Sequence, residues 1–174
     1  DFDFEILIHD DASTDRTADI IRDYEKRYPN IIKPIYQTEN QYKKGRQRMF
    51  YTFNDSRAIG EYIALCEGDD YWVDPLKLQK QVDFMEHHPQ HSVCFHAHFI
   101  EKKDGIREEV YRYSDYNELC PTKDVIFGGG GYMATNSMLF RSNIVTKDYP
   151  LWAIKAPVGD MPLMLILLNS GCVG

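Results

Sequence analysis

The chain has 174 residues, with 20 Lys+Arg against 27 Asp+Glu, a net charge of −7 and a pI near 5.3. One domain is the default at this length, and a fold of this size buries roughly 70% of its unfolded surface. A composition of 43% hydrophobic and 13% aromatic residues excludes an intrinsically disordered chain, and the acidic balance argues against docking on nucleic acid or anionic lipid through charge.

In chain order, residues 5–9 (EILIH) are an apolar run too short for a helix, bounded by Asp10-Asp11. Ser13-Thr14-Asp15 then supplies capping hydroxyls and an acid for a helix start, and Thr17, Ile21, Tyr24 and Tyr28 share one helical face before Pro29-Asn30. Residues 31–36 read as a second strand, and residues 45–57, rich in Arg and aromatics, as a helix. Residues 62–66 (YIALC) form an unbroken apolar stretch, the pattern of a strand covered on both faces, followed at once by Glu67-Gly68-Asp69-Asp70. Pro75 opens a helix through Leu78, Val82 and Met85 that closes before Pro89. Residues 93–100 and 106–113 are strand candidates around a Lys103-Asp104-Gly105 turn. The glycine run 128–131 breaks regularity, residues 133–140 look extended, and a last helix runs from Gly159-Asp160 to Leu168. The opening β-α-β-α-β-α alternation predicts an α/β fold with a largely parallel sheet in one continuous domain, residues 1–174.

Four cysteines, Cys66, Cys94, Cys120 and Cys172, stand far apart without a C-x-x-C pair; three of them sit in apolar or strand-like surroundings, which reads as buried free thiols in a reducing compartment. No secretory leader and no apolar run near the ~20 residues of a membrane span is read here. Strand-like sequence follows Asp1 directly, so the chain reads as a piece of something longer.

Two apolar strands each end in a knot of acids. Strands joined by helical crossovers run parallel, so residues 5–9 and 62–66 are expected side by side in one sheet, with Asp10-Asp11 and Glu67-Asp69-Asp70 at its carboxyl edge. Carboxylates gathered there repel one another unless a cation or hydrogen-bond donors compensate; oxygen-only ligands suit Mg²⁺ or Mn²⁺. A single such cluster is commonly just a solvated loop; two in register favour a binding site. The glycine run lacks the G-K-[ST] ending of a phosphate loop. His96 and His98 are too few for a zinc site and read as packed or solvated, and His9 as a strand-end residue.

Asp10-Asp11-Ala12-Ser13-Thr14-Asp15-Arg16-Thr17 resembles the D-D-x-S-x-D-x-T segment of inverting family 2 glycosyltransferases. Gly60-Glu61-Tyr62-Ile63 with Glu67-Gly68-Asp69-Asp70-Tyr71-Trp72 resembles that family's G-E-Y-I-x-x-x-D-x-D-D-Y-W stretch, and Pro75-Leu76-Lys77-Leu78-Gln79-Lys80-Gln81 its following helix. The ordered set covers about half of the chain. The resemblance implies a GT-A fold, three-layered with a mostly parallel sheet, a nucleotide-sugar donor and a divalent cation, Mn²⁺ or Mg²⁺. It places Asp11 on the imide N–H of a uracil-type base, Glu67 toward the ribose, Asp69 on the metal and Asp70 beside it. Glu67 departs from the usual Asp of D-x-D. Arg46 matches a basic residue facing base and phosphates, its alternative being a surface helix arginine. Asp160 matches the acid of an E-D or G-D dipeptide, the catalytic base, its alternative being a helix cap.

The implied reaction is inverting transfer of a sugar, UDP-linked, to a saccharide or lipid-linked hydroxyl acceptor in cell-surface polysaccharide or glycan assembly. The implied place is cytoplasmic, with any attachment to the inner membrane face made by other regions. Such enzymes carry a strand and a P-x-Y-N loop ahead of the segment matched by residues 5–17, and neither precedes Asp1, which again marks the chain as a piece. The competing expectation is a non-catalytic nucleotide-sugar-binding or assembly module on the same fold.

Overall fold

The computed structural model describes residues 2–45, 49–110, 119–129, 132–145, 149–156 and 159–174. In chain order these form β1 (Ile6–Asp10), α1 (Thr17–Arg27), β2 (Ile32–Tyr36), α2 (Met49–Phe53), a 3-10 turn (Asp55–Arg57), β3 (Tyr62–Ala64), α3 (Lys77–His87) and β4 (His91–Cys94). They continue with β5 (His98–Glu101), β6 (Arg107–Val110), α4 (Thr122–Gly128), a 3-10 turn (Thr135–Ser137), β7 (Leu139–Arg141), a 3-10 turn (Ser142–Ile144), α5 (Leu151–Ile154), α6 (Asp160–Ser170) and β8 (Cys172–Val173). The chain divides into two compact units, Asp1–Glu61 with Val145–Gly159, and Tyr62–Ile144 with Asp160–Gly174.

In the first unit, β1 and β2 pair in parallel, Ile6 opposite Ile32 through Asp10 opposite Tyr36. The crossover is α1, whose first-turn N–H at Thr17 is held by Asp15 Oδ1 at 2.9 Å and whose Ile21 is buried. Lys26 and Arg27 sit in its last turn, where cations complement the helix dipole. Pro34 cannot donate to the ladder opposite Ile8, and the Arg57 guanidinium serves the carbonyls there, donating to Lys33 O at 2.8 Å and Ile8 O at 3.3 Å. His9 stacks on Phe53 with ring centres 4.0 Å apart. Burial holds the imidazole of this strand-end residue below its usual pKa.

In the second unit, β3, β7, β4 and β8 form one sheet in that order. β7 runs antiparallel to both β3 and β4, while β4 and β8 are parallel. Helix α3 lies on this sheet, with Met85 buried against Cys94 and Leu139 and flanked by Leu78, Val82 and Tyr62. Arg141 stitches the layers, donating to Met85 O at 2.9 Å, His91 O at 3.0 Å and Tyr62 Oη at 3.1 Å. Helix α6 buries Pro162, Leu163, Met164 and Leu167. The turn into β8 is a glycine of necessity: a Cβ on Gly171 would stand 2.8 Å from Gln90 O.

Most strands and helices fall close to the expected positions, but residues 133–140, read as extended, hold the 3-10 turn Thr135–Ser137 before β7, and the strands' partners differ from those expected. β1 pairs with β2 and β3 with β7, so the common sheet expected for residues 5–9 and 62–66 is not formed among the described residues. An apolar run specifies a strand and not its neighbour; here the neighbour of β3 arrives from far along the chain as an antiparallel strand. Residues 93–100, read as one strand, end in the sheet at Cys94 and begin again at His98 in a hairpin with β6. The regular part of residues 62–66 stops at Ala64. The free state expected of the cysteines holds for all four, with Cys94 and Cys120 buried and Cys66 exposed.

Candidate active site

Strand β3 delivers an acidic loop. Leu65 is buried, and Cys66 through Asp70 then emerge into solvent, closed by a turn in which Asp70 N donates to Glu67 O at 3.1 Å. The carboxylates crowd. Partial burial, and then repulsion from Asp70, Asp69 and Asp160, raises Glu67 above the usual carboxylate range, opposed by a hydrogen bond from Thr135. Burial and then Asp69 raise Asp70 likewise, opposed by His98. The second unit therefore brings Glu67, Asp69, Asp70 and Asp160 into one acidic neighbourhood, although Asp160 is far along the chain. Asp160 stands at the first residue of α6, where unpaired backbone N–H groups and the helix dipole favour a negative charge.

Beyond the acids the loop is pinned. Trp72 Nε1 donates to Asn136 O at 2.9 Å, and Gln81 Nε2 donates to Ser137 O at 2.8 Å. Lys77, only 5% exposed, donates from Nζ to Gln81 Oε1 at 2.7 Å and lies 4.2 Å from the centre of the Trp72 ring. Burial pushes its ammonium down to about 8. Tyr71 reaches the β5–β6 hairpin, donating to Glu101 Oε2 at 2.6 Å, and Arg107 clasps both residues. These groups surround a cavity of about 620 Å³ whose walls include Asp69, Asp70, Trp72, Lys77, Thr135 and Asn136.

In the first unit, Asp10 is buried and its Oδ1 accepts from Ser13 N at 3.4 Å, supporting the turn that leaves β1. Asp11 anchors the loop after β2: its Oδ1 accepts from Gln41 N at 2.7 Å, its Oδ2 from Tyr42 N at 3.0 Å, and its carbonyl from Asn40 Nδ2 at 2.9 Å. A carboxylate offers about four acceptor positions, so a further donor can still be received. Between these acids and α1, Ala12 takes a left-handed backbone at φ 60°, strain that a non-glycine residue accepts only where its neighbours hold it. Arg46 lies outside the described residues.

A sequence model of the family described as Glycosyl transferase family 2 matches residues 1–149. The chain belongs to this family. It is 39% identical over 155 residues to the "Uncharacterized protein Rv1520" of Mycobacterium tuberculosis, covering 86% of this chain and 42% of that protein. It is 27% identical over 155 residues to the "Uncharacterized glycosyltransferase alr2836" of Nostoc sp., covering 88% of this chain and 46% of the relative. A shorter match, 42% over 86 residues, covers 47% of this chain and 30% of WfaP of Escherichia coli, named a UDP-Glc:alpha-D-GlcNAc-diphosphoundecaprenol beta-1,3-glucosyltransferase. The chain thus spans less than half the length of the relatives it matches.

As a family 2 glycosyltransferase domain the chain has the GT-A fold. The donors in its acidic loop suit a hard divalent cation, since all are carboxylate oxygens and two are raised by partial burial and then by repulsion from neighbouring acids, which a cation would relieve. Among the described residues no group of three or more His, Cys, Asp or Glu side chains is arranged to hold a metal alone. Sequence reasoning assigned no role to Thr135 or Asn136. A Thr-Asn-Ser triplet carries no periodic signal, and only the fold reveals that one 3-10 turn meets Glu67, Trp72 and Gln81.

Proposed function

We propose that this domain transfers a sugar from a UDP-linked donor to a hydroxyl acceptor with inversion, with Mg²⁺ or Mn²⁺ bound, in cell-surface polysaccharide or glycan assembly. The observation that carries the reading is the acidic neighbourhood of Glu67, Asp69, Asp70 and Asp160 beside a 620 Å³ cavity in a family 2 chain. In this reading Asp69 is the carboxylate that holds the cation, with Asp70 beside it, and Glu67 takes the ribose hydroxyls. Asp11 takes the imide N–H of the base and Arg46 faces the phosphates. When bound, the cation supplies charge stabilisation to the leaving diphosphate.

Asp160 is the base. It accepts the acceptor's hydroxyl proton as that oxygen attacks the anomeric carbon from the face opposite the diphosphate, whose C–O bond breaks with the electron pair leaving on the phosphate oxygen. The name of the Escherichia coli relative supports a UDP donor and a lipid-linked hydroxyl acceptor. Among the described residues no helix is long and apolar enough to cross a membrane.

Asp160→Asn tests the assignment in the full-length protein, because it keeps the shape but cannot take the proton. Transfer, read as release of the nucleoside diphosphate, is expected to fall at least ~100-fold with donor affinity unchanged. Near-normal transfer would make Asp160 a helix cap, and unchanged donor binding without any transfer by the parent would favour a non-catalytic module.

A further inference from the structure

We propose that Lys77 is the positioning residue of the acidic loop, closing a ring of contacts through Gln81, Ser137, Asn136 and Trp72 that sets where Asp69 and Asp70 stand. The proposal rests on the glycosyltransferase reading, in which those two acids meet the cation, and gives a role to a residue outside that reading. Residues 66–76 are exposed throughout, so burial of the loop itself does little to fix its course. The side chain of Trp72, two residues past Asp70, instead ties it to buried partners.

The ring is continuous. Lys77 Nζ donates to Gln81 Oε1 at 2.7 Å, and Gln81 Nε2 donates to Ser137 O at 2.8 Å. One peptide back along the same 3-10 turn, Asn136 O accepts from Trp72 Nε1 at 2.9 Å. The Trp72 ring then returns to Lys77, whose Nζ lies 4.2 Å from its centre. Lys77, Gln81 and Ser137 are 5%, 7% and 0% exposed, so water competes poorly for these links.

Packing alone does not account for a lysine here. No carboxylate pairs with its ammonium among the described residues, and a buried unpaired charge is less stable than an apolar side chain of like volume. What the ammonium adds is direction. It only donates, so the Gln81 amide must turn its oxygen to Lys77 and its N–H groups to the Ser137 carbonyl. The same charge favours the face of the Trp72 indole, whose ring N–H meets Asn136 O. An apolar residue would fill the volume and leave both amide and indole free to turn. The turn held in this way also carries Thr135, the hydrogen-bond partner of Glu67, so both ends of the acidic stretch share one anchor.

The test uses the full-length protein and reads binding rather than transfer. UDP is titrated calorimetrically with Mn²⁺ and again in EDTA, and urea denaturation shows which variants are folded. Lys77→Met is expected to weaken UDP by about 2–30-fold in Mn²⁺ and by less than twofold in EDTA, because the acids it positions act through the cation. Gln81→Met should give a similar loss, and the double variant little more than either single one, since a ring is opened only once. On an Asp69→Ala background Lys77→Met should cost nothing further, because the group being positioned is gone. A lysine that serves only the packing gives a loss equal in Mn²⁺ and EDTA, or none. Either of those results overturns the proposal, as do full additivity in the double variant and an undiminished loss on Asp69→Ala. Gln81→Met carries the same readout where Lys77→Met does not fold. Failure of the underlying reading shows in the parent instead: UDP bound no better in Mn²⁺ than in EDTA overturns the cation assignment and the proposal with it. A parent that binds no UDP overturns the glycosyltransferase reading itself.

Discussion

Asp55 shows how far one side chain can depart from what its residue type suggests. It sits in the 3-10 turn after α2, only 6% exposed, and burial raises its carboxyl to about 6. The folded chain therefore binds this proton near pH 6 and the unfolded chain near pH 4, so between the two the folded state holds more protons. Stability should fall as pH rises through that window, by on the order of 3 kcal/mol from this group. Asp55→Asn should remove that slope, as measured by chemical denaturation from pH 4 to 7; an unchanged slope would place its cause elsewhere. Asp69 is the opposite case, an exposed acid whose value lies in what it meets. Asp69→Ala should weaken UDP-sugar binding in Mn²⁺ by at least ~10-fold, since an opposing charge is lost, and much less in EDTA. Calorimetry with and without the chelator reads the difference. Both acids look alike in the sequence, because burial depends on neighbours that a local motif does not name.

At the scale of elements, the acidic loop owes its shape to three short pieces of structure brought from different parts of the chain. β3 is three residues long and is held by β7 on one side, with α3 packed over the pair. Arg141 of β7 joins them, serving the last turn of α3 at Met85 O, β4 at His91 O and the hydroxyl of Tyr62 in β3. Arg141→Met keeps much of the volume but leaves those oxygens without their donor, and should cost about 2–4 kcal/mol of stability. Urea denaturation measures it, and a loss under about 1 kcal/mol would show that water replaces the guanidinium. The helices were legible because apolar spacing and punctuation define them: Ile21 for α1, Met85 for α3, and Asp160-Met161-Pro162 for α6. The split of residues 93–100 was not, since no glycine or proline marks the place where the backbone leaves one sheet and enters a hairpin with β6.

For the whole molecule, family membership and structure bear on different questions. The match over residues 1–149 establishes the family and the GT-A fold, while the two compact units show how this stretch distributes its residues. The second unit holds Glu67, Asp69, Asp70 and Asp160, and the first holds Asp11. If transfer requires both, Asp11→Ala should weaken UDP and UDP-glucose equally, by about 10–150-fold for a hydrogen bond to a carboxylate, with turnover at saturating donor little changed. A drop in turnover with donor affinity intact would assign Asp11 to something other than the base. Because Asp11 also holds the backbone of Gln41 and Tyr42, Asp11→Asn, which keeps one acceptor oxygen, is the companion variant.

The residues by themselves determined the kind of fold and the kind of site: apolar runs ending in acids, helix starts marked by Ser13-Thr14-Asp15 and Asp160, and an ordered set of motifs belonging to one family. Such signals are local, each written within a dozen residues, and so survive without coordinates. Tertiary structure alone decided which strands pair, that Asp160 and Glu67 share one field, that Lys77 is buried under Trp72, and that Asn136 Oδ1 is buried without a protein donor. Each of these depends on contacts between residues tens of positions apart, and burial and hydrogen-bond completion are properties of that whole packing rather than of any segment within it.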